Sequence, residues 1–186
     1  MRNTGAKNRN EHRRRSVGPE INARRPTVMV SNRQRAKKIN QPLLQHIAST
    51  VLERLQAGDW QLEIVLLGAR KMAAINRRFL RHEGSTDVIT FDYGAVPEPT
   101  ELGNRRGRRN AGPMRRGEIF ICVDEAVCQA RRFQTSWQSE LVRYLAHGIL
   151  HLLGHDDLHP KPRREMKRRE DRLLRDISRR FGLRRL

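Results

Sequence analysis

The sequence predicts an α+β fold, in which a small mixed β-sheet is covered by helices. The first observation is the order of its segments: β-like and helix-like stretches follow one another as β-α-β-α-β-β-α-α-α, without an internal repeat. The second is that only 37% of the 186 residues are hydrophobic, whereas 32% are charged. Because this deficit is uneven along the chain, the core is expected in the middle, between solvated ends.

Three regions are expected along the chain. Residues 1–25 are polar and Arg-rich, which predicts a disordered basic arm that cannot bury a face. This arm fits a solubilising tail and an RNA-contacting arm equally well, and it fits a transit peptide less well because it lacks an apolar stripe. Residues 26–160 are expected to form the folded domain, and residues 161–186 a basic C-terminal helix.

The first half of the folded domain is expected to contain two strands and two helices. Residues 27–31 are β-like, and residues 60–67 alternate before turning fully apolar, as a strand does on entering a core. A helix capped by Asn40 and ended by Gly58 is expected between them. Its apolar residues recur at helical spacing: Leu43, Leu44, Ile47, Val51, Leu52 and Leu55. A second helix is indicated by Met72, Ile75, Asn76 and Phe79.

Two short strands are expected next, at residues 88–91 and 118–123. Residues 94–117 lie between them and contain proline, glycine and six arginines, so they predict an exposed basic loop. The two cysteines, Cys122 and Cys128, are too few for a disulfide framework. They are expected to be buried thiols in a reducing cytoplasm.

Three helices are expected to follow. Asp124 is the predicted cap of a helix that runs to Phe133. Ser136 is the predicted cap of another that runs to Leu153, with an acidic residue near its positive end. The final helix follows two prolines and places five apolar residues on one face: Met166, Leu173, Leu174, Ile177 and Phe181.

The charge of the chain indicates a polyanionic partner. The net charge of +19, from 39 basic and 20 acidic side chains, favours nucleic acid above all. An anionic membrane surface is the rival, but no apolar run approaches the ~18 residues of a spanning helix. The N-terminus also lacks the apolar core of a signal peptide, which fits a cytoplasmic protein. Aromatic residues are only 5% of the chain, so phosphate contacts are expected to outweigh base stacking.

The segment HGILHLLGHDD has the spacing of a metal site. His147 and His151 are four residues apart on an apolar helix, so their imidazoles project one turn apart from the same face. Gly154 can end this helix with a positive φ, which lets Asp157 turn back toward the same point as a third ligand. Three protein ligands leave the fourth position of a zinc ion open to water, as a catalytic site requires.

Two points qualify this interpretation. His155 and His159 are alternatives for the third ligand, and Asp157 is preferred because of its offset from Gly154. The spacing is also similar to that of metzincin peptidases, which carry Glu directly after the first histidine as the general base. Here that position is Gly148, which strongly disfavours a peptidase.

The same segment resembles the YbeY family of bacterial rRNA maturation endoribonucleases, whose motif is H-G-x-L-H-L-x-G-(Tyr/His)-Asp-His. The chain matches this motif at every defined position except the last, where Asp157 replaces histidine. Residues 75–76, 85–91 and 117–121 resemble three further family motifs in the same order. The resemblance covers roughly residues 28–160.

The resemblance implies a zinc-dependent hydrolase that cleaves single-stranded RNA. It implies roles in 3′-end maturation of the small-subunit (16S) rRNA and in ribosome quality control. Within the site, it implies that His147 and His151 bind zinc, with His147 also counted as catalytic, and that Asp157 occupies the third ligand position.

An arginine that is important in the family falls at the position of Leu80. Arg81 is therefore the expected catalytic arginine and Arg78 its alternative, although both are equally typical of a solvated helix end. Thr86 and Asp87 are expected to cap a turn before a strand, or else to orient a histidine or a water molecule.

Three other functions stay open at the level of sequence. The first is a non-catalytic ribosome-assembly factor with a structural zinc, and the second is a metallopeptidase. The third is a nucleic-acid-binding module without a metal. Metal content and RNA cleavage together separate all of them from the hydrolase.

Overall fold

A computed structural model of the protein describes residues 25–96 and 113–186, so almost all of the predicted basic arm lies outside it. Its strands are β1 (Thr27–Asn32), β2 (Trp60–Leu67), β3 (Val88–Val96) and β4 (Met114–Cys122). Its α-helices are α1 (Gln41–Arg54), α2 (Ala69–Ile75), α3 (Val123–Phe133), α4 (Trp137–Leu152) and α5 (Pro160–Arg180). A π-helical turn, Asn76–Leu80, continues α2, and a 3₁₀ turn, Leu183–Arg185, follows α5.

The strands form one mixed sheet with the order β1-β2-β4-β3. β1 pairs in parallel with β2, and β2 in parallel with β4, whereas β3 runs antiparallel to β4 at the edge of the sheet. The predicted α+β fold and the predicted order of its elements are confirmed.

The main core lies between one face of the sheet and helices α1, α4 and α5. Alternate residues of β2, such as Ile64 and Leu66, and Ile119 of β4 are buried against these helices. Met166 and Ile177 bury α5 in the same core, so the basic last helix is packed onto the rest of the chain.

The other face of the sheet is covered only in part. A small cluster of Met72, Ile89 and Cys122 lies under α2, while Met29 and Tyr93 stay more than half exposed. One side of the sheet therefore offers apolar and aromatic groups to solvent.

Two of the predicted helix caps are confirmed. The Leu43 N–H donates to Oδ1 of Asn40 at 3.1 Å, and the Ser139 N–H donates to Oγ of Ser136 at 3.1 Å. The prediction that Gly58 ends the first helix is wrong, because α1 stops at Arg54.

The predicted loop at residues 94–117 is shorter than expected. β3 continues to Val96 and β4 starts at Met114, which pair with each other beyond an irregularity in the ladder. Residues 97–112, where four of the six arginines lie, are outside the described residues.

Three smaller expectations are wrong. Asp124 does not cap α3; its Oδ2 instead accepts the Ala69 N–H at 2.7 Å, which ties α3 to the start of α2. Cys128 is exposed, whereas Cys122 is buried and burial raises the pKa of its thiol to about 11. Phe181 lies just beyond the end of α5. No helix in the described parts of the chain is long and apolar enough to cross a membrane.

Candidate metal centre

Helix α4 places two histidines beside the free edge of β3. The helix lies close to the sheet, because a Cβ atom at Gly148 would come within 2.8 Å of Cγ2 of Ile119. His147 and His151, one turn apart, line the same cleft and are each only partly buried. The close packing also explains why position 148 carries glycine and not glutamate, since any side chain at this position would meet Ile119 of the sheet.

A glycine turn ends α4 and reverses the chain. Gly154 has a φ of +83°, and its N–H donates to the carbonyl of His151 at 2.9 Å. The His155 N–H donates to the carbonyl of Leu150 at 3.0 Å, which completes a Schellman motif. The predicted glycine turn after the histidine helix is therefore present.

Two hydrogen bonds fix the segment after the turn. The Leu158 N–H donates to Oδ1 of Asp156 at 2.8 Å, and the Arg163 Nε–H donates to the carbonyl of Asp157 at 2.8 Å. These bonds tie the segment to the first turn of α5 and leave the Asp157 carboxylate facing the two histidines.

The three side chains converge on one point. Nε2 of His147 lies 3.0 Å from Nε2 of His151. The Asp157 carboxylate oxygens lie 3.7 Å from Nε2 of His147 and 3.9 Å from Nε2 of His151. For comparison, tetrahedral ligands that bind zinc at about 2.0–2.1 Å lie roughly 3.3 Å apart. Among the described residues, these three side chains form a group whose geometry could hold a metal ion.

The outer hydrogen bonds of the histidines leave their Nε2 atoms free. Nδ1 of His147 lies 3.1 Å from Oε2 of Glu170, and Nδ1 of His151 lies 3.1 Å from the carbonyl oxygen of His155. Both partners only accept hydrogen bonds, so each Nδ1 carries a proton, and in its neutral form each ring points the Nε2 lone pair at the common point. Two nitrogen lone pairs and a carboxylate repel one another unless a cation lies between them. The donor set is one that zinc binds well.

Glu170 is a buried residue that supports His147 from behind the three converging side chains. Glu170 is only 5% exposed. Its Oε1 accepts hydrogen bonds from Arg143 and Lys167, each at 2.8 Å. Burial raises the pKa of Glu170, but the hydrogen bonds from His147, Lys167 and Arg143 outweigh it and lower the pKa to about 2. The carboxylate is therefore charged and acts as a fixed acceptor for His147.

Three acidic side chains lie near His147, although the chain as a whole is strongly basic. Burial lowers the pKa of His147, but its hydrogen bond to Glu170 and the charges of Glu170, Asp87 and Asp157 raise that pKa overall. The same charges that favour a protonated imidazole favour a metal cation in its place.

A cleft of about 250 Å³ opens beside the two histidines. Its other wall consists of Leu80 and the first residues of β3, and Asp87 stands at the start of that strand. Oδ1 of Asp87 accepts hydrogen bonds from the Thr86 hydroxyl and the Val88 N–H, at 3.0 and 2.9 Å. Asp87 thus caps the turn and also borders the cleft.

A known protein family matches most of the chain. A sequence profile of the family described as Endoribonuclease YbeY matches residues 29–178. The chain belongs to the YbeY family. This membership confirms that the chain is an enzyme of the endoribonuclease class, and the match includes most of α5.

Named relatives cover most of the chain. The endoribonuclease YbeY of Chlorobium luteolum is 34% identical over 143 residues, which are 77% of this chain and 93% of that protein. That of Chlorobaculum parvum is 33% identical over 138 residues, 74% of this chain and 86% of the relative. The solution structure of TM1509 from Thermotoga maritima matches with a TM-score of 0.54 at 22% identity, over 81% of this chain and 89% of that one. This last likeness supports the fold alone.

Two positions set this YbeY family member apart from the family pattern stated above. Asp157 stands where the motif has histidine, and its carboxylate is the group that reaches the two histidines. The alternatives, His155 and His159, are not members of the described cluster. The position of the family arginine is taken by Leu80, which is 47% exposed and lines the cleft.

The arginines proposed in its place lie at the end of the π-helical turn. Arg81 adopts a left-handed conformation with a φ of +57°, and Arg78 lies within the turn; both are exposed. The described residues that line the cleft include no arginine.

Glu170 was not among the predicted site residues, although the sequence contains a signal for it. Glu170 is four residues from Met166 and from Leu174, so it lies on the apolar face of the last helix. A single carboxylate on such a face requires a buried partner, and that partner is a histidine of the preceding helix.

Proposed function

We propose that this YbeY family member is a zinc-dependent endoribonuclease that cuts single-stranded RNA at the cleft beside α4. The observation that carries the proposal is the convergence of His147, His151 and Asp157, with two ring nitrogens and a carboxylate turned toward one point. A zinc ion held there would supply Lewis-acid polarisation of a phosphate oxygen and of water.

The residues of the chain have distinct roles in this proposal. Glu170 fixes the tautomer and orientation of His147, and the His155 carbonyl does the same for His151. Asp87, which lines the cleft, would orient a water molecule or a histidine.

The positive charge that a phosphate requires comes from an arginine near Leu80. We assign it to Arg81, because this residue follows Leu80 directly and its exposed side chain is long enough to turn toward the cleft wall. Arg78 remains the alternative. If Arg81 has this role, Arg81→Ala lowers the rate of cleavage far more than Arg78→Ala does.

RNA binding rests on electrostatics. Most of the exposed side chains of α5 are Lys and Arg, and the whole chain has a net charge of +19. Such a surface neutralises backbone phosphates, so binding falls steeply as salt is added. The proposed substrate is the small-subunit rRNA near its 3′ end, with the ribosome as partner and the cytoplasm as location.

The cleavage claim is tested with single-stranded RNA and purified protein. Wild-type protein and His159→Ala are expected to cut the RNA in the presence of zinc, whereas His147→Ala and His151→Ala are not. His159 is the matched control, since it is exposed, close in sequence and outside the cluster. Equal cleavage by all four proteins would point to a contaminating ribonuclease and end the enzyme claim.

The two non-catalytic alternatives predict different combinations of bound zinc and RNA cleavage. A structural zinc predicts one bound zinc per chain and no RNA cleavage, and a metal-free module predicts no bound zinc. The rRNA role is tested in cells by mapping the 3′ end of small-subunit rRNA after depletion of the protein. Mature ends at the normal level would contradict that role and leave the endoribonuclease activity standing.

A further inference from the structure

The partly open face of the sheet carries a cluster of aromatic rings next to the metal cleft. Phe79, from the π-helical turn, contacts Phe91 of β3 edge-to-face, with 5.3 Å between ring centroids. Phe91 in turn contacts Phe120 of β4 in the same manner at 5.6 Å. Tyr93 follows on the same face of β3, two residues beyond Phe91.

The outer rings of this cluster are unusually exposed. Phe79 is 55% exposed and Tyr93 is 51% exposed, whereas Phe91 and Phe120 are half-buried. Single exposed apolar residues are common, but a contiguous exposed group marks a binding surface. The question is which partner the surface fits.

Arginines accompany the exposed rings. The guanidinium of Arg78 lies 5.3 Å from the ring centroid of Phe79, and that of Arg116 lies 5.7 Å from the ring of Tyr93. The Tyr93 hydroxyl also donates a hydrogen bond to Glu118 at 2.7 Å, which fixes the ring. Rings interleaved with cations fit a polymer of flat bases and phosphates better than an apolar protein surface.

The cluster is continuous with the metal cleft. Leu80, the neighbour of Phe79, lines that cleft together with His147 and His151. Ile89 and Thr90 of β3 also line it, and they directly precede Phe91. A strand whose backbone lies in the cleft can therefore extend its next bases over the edge of β3 onto the rings.

We propose that Phe79, Phe91 and Tyr93 form a stacking surface for unpaired bases of the nucleic-acid strand whose backbone occupies the metal cleft. The inference rests on the proposed RNA-cleaving function of that cleft. It also supplies a reason for single-strand preference, because paired bases in a duplex do not present their faces to aromatic side chains. Stacking tolerates any base, so this surface selects single strands without selecting a sequence.

The test compares binding of strands that differ only in their bases. The probe is a fluorescently labelled single-stranded DNA of about 12 nucleotides, since binding sites of this kind span roughly 4–16 nucleotides. DNA is not a substrate of an endoribonuclease, so the metal-loaded full chain can be used. An abasic strand of the same length has the same phosphates, and a blunt-ended duplex of the same length presents base faces only at its two ends.

Phe79→Ala and Tyr93→Ala are each expected to weaken binding of the base-containing strand by about fivefold or more. Binding of the abasic strand and of the duplex should not change. Tyr93→Phe keeps the ring and should restore binding. Phe133→Ala is the matched control, because Phe133 is 62% exposed and pairs with Arg132 at 5.5 Å but lies outside the cluster.

Equal losses on the abasic strand, or unchanged binding by both alanine variants, would overturn the stacking surface. Unfolding midpoints equal to that of the wild type would show that the exposed substitutions leave the fold intact. Failure of the proposed function looks different: the wild type would then bind the strand through its bases but leave single-stranded RNA uncut.

Discussion

Glu170 shows how one residue can stabilise a site without contacting the reacting groups. A buried carboxylate is costly unless its charge and hydrogen-bonding capacity are satisfied. Here Arg143 and Lys167 compensate the charge, and one oxygen remains for Nδ1 of His147. The arrangement joins α4 and α5 through a polar network at the margin of an apolar core.

We predict that Glu170→Gln weakens zinc binding about 10- to 100-fold, the usual effect of losing an outer hydrogen-bond partner of a metal-ligating histidine. The amide keeps the size of the side chain but removes the negative charge that holds the Nδ1 proton of His147. Titration against a chromophoric chelator measures the affinity. Glu165→Gln is the control, because Glu165 lies on the same helix but is exposed and pairs with Arg169. Equal affinities of the two variants would contradict a positioning role for Glu170.

Whether the sequence reveals a site residue depends on how far along the chain its partners lie. His147, His151 and Asp157 were predictable because one helical turn and one glycine turn bring them together within eleven residues. Glu170 lies 23 residues from His147, and only the packing of two helices sets that contact. Local periodicity holds no information on such a pairing.

At the scale of elements, the packing of α4 on β4 decides what chemistry the helix can carry. Gly148 is the point of close approach, and Ile119 is a stiff, β-branched and fully buried neighbour that cannot swing away. A peptidase-type glutamate at this position would require the helix to move off the sheet. The sequence already disfavoured a peptidase because of the residue type at this position, and the structure adds a steric reason.

Gly148→Ala is expected to lower the free energy of unfolding. Alanine is the better helix former by about 1 kcal/mol, but overpacking a tight core costs about 1–3 kcal/mol, and a contact at 2.8 Å to Cγ2 of Ile119 favours the larger cost. Urea titration with an unchanged m-value measures the difference. Gln138→Ala, on a less buried turn of the same helix, should change stability by less than about 0.5 kcal/mol. A Gly148→Ala protein as stable as the wild type would show that α4 and the sheet can adjust.

The order and type of the elements were predictable, whereas several of their ends were not. The caps at Asn40 and Ser136 are local signals, and both are confirmed. Asp124 carries the same local signal, but a contact with the start of α2 uses its carboxylate instead. The extension of β3 to Val96 depends on its pairing with Met114 across the sheet, and propensity alone does not reveal it.

At the scale of the whole molecule, composition gives the number of aromatic residues but not where they lie. Aromatic residues are 5% of the chain, and phosphate contacts were therefore expected to outweigh base stacking. The fold nevertheless gathers Phe79, Phe91, Phe120 and Tyr93 on one face of the sheet, beside the metal cleft. A small number of rings is enough for a stacking surface if the topology places them together. The percentage of aromatic residues carries no information about their positions in the fold.

The metal is expected to couple the site to the stability of the whole fold. Its proposed ligands span α4 and the α4–α5 connection, so an ion that binds only the folded chain stabilises the packing of these helices. Free zinc at about 100 times its dissociation constant adds roughly 2.7 kcal/mol, which for a chain of this size raises Tm by about 5–10 °C. Scanning calorimetry with and without a chelator measures the shift. His159→Ala should retain it and His151→Ala should lose it; an undiminished shift in His151→Ala would mean that zinc stabilises the fold from another site.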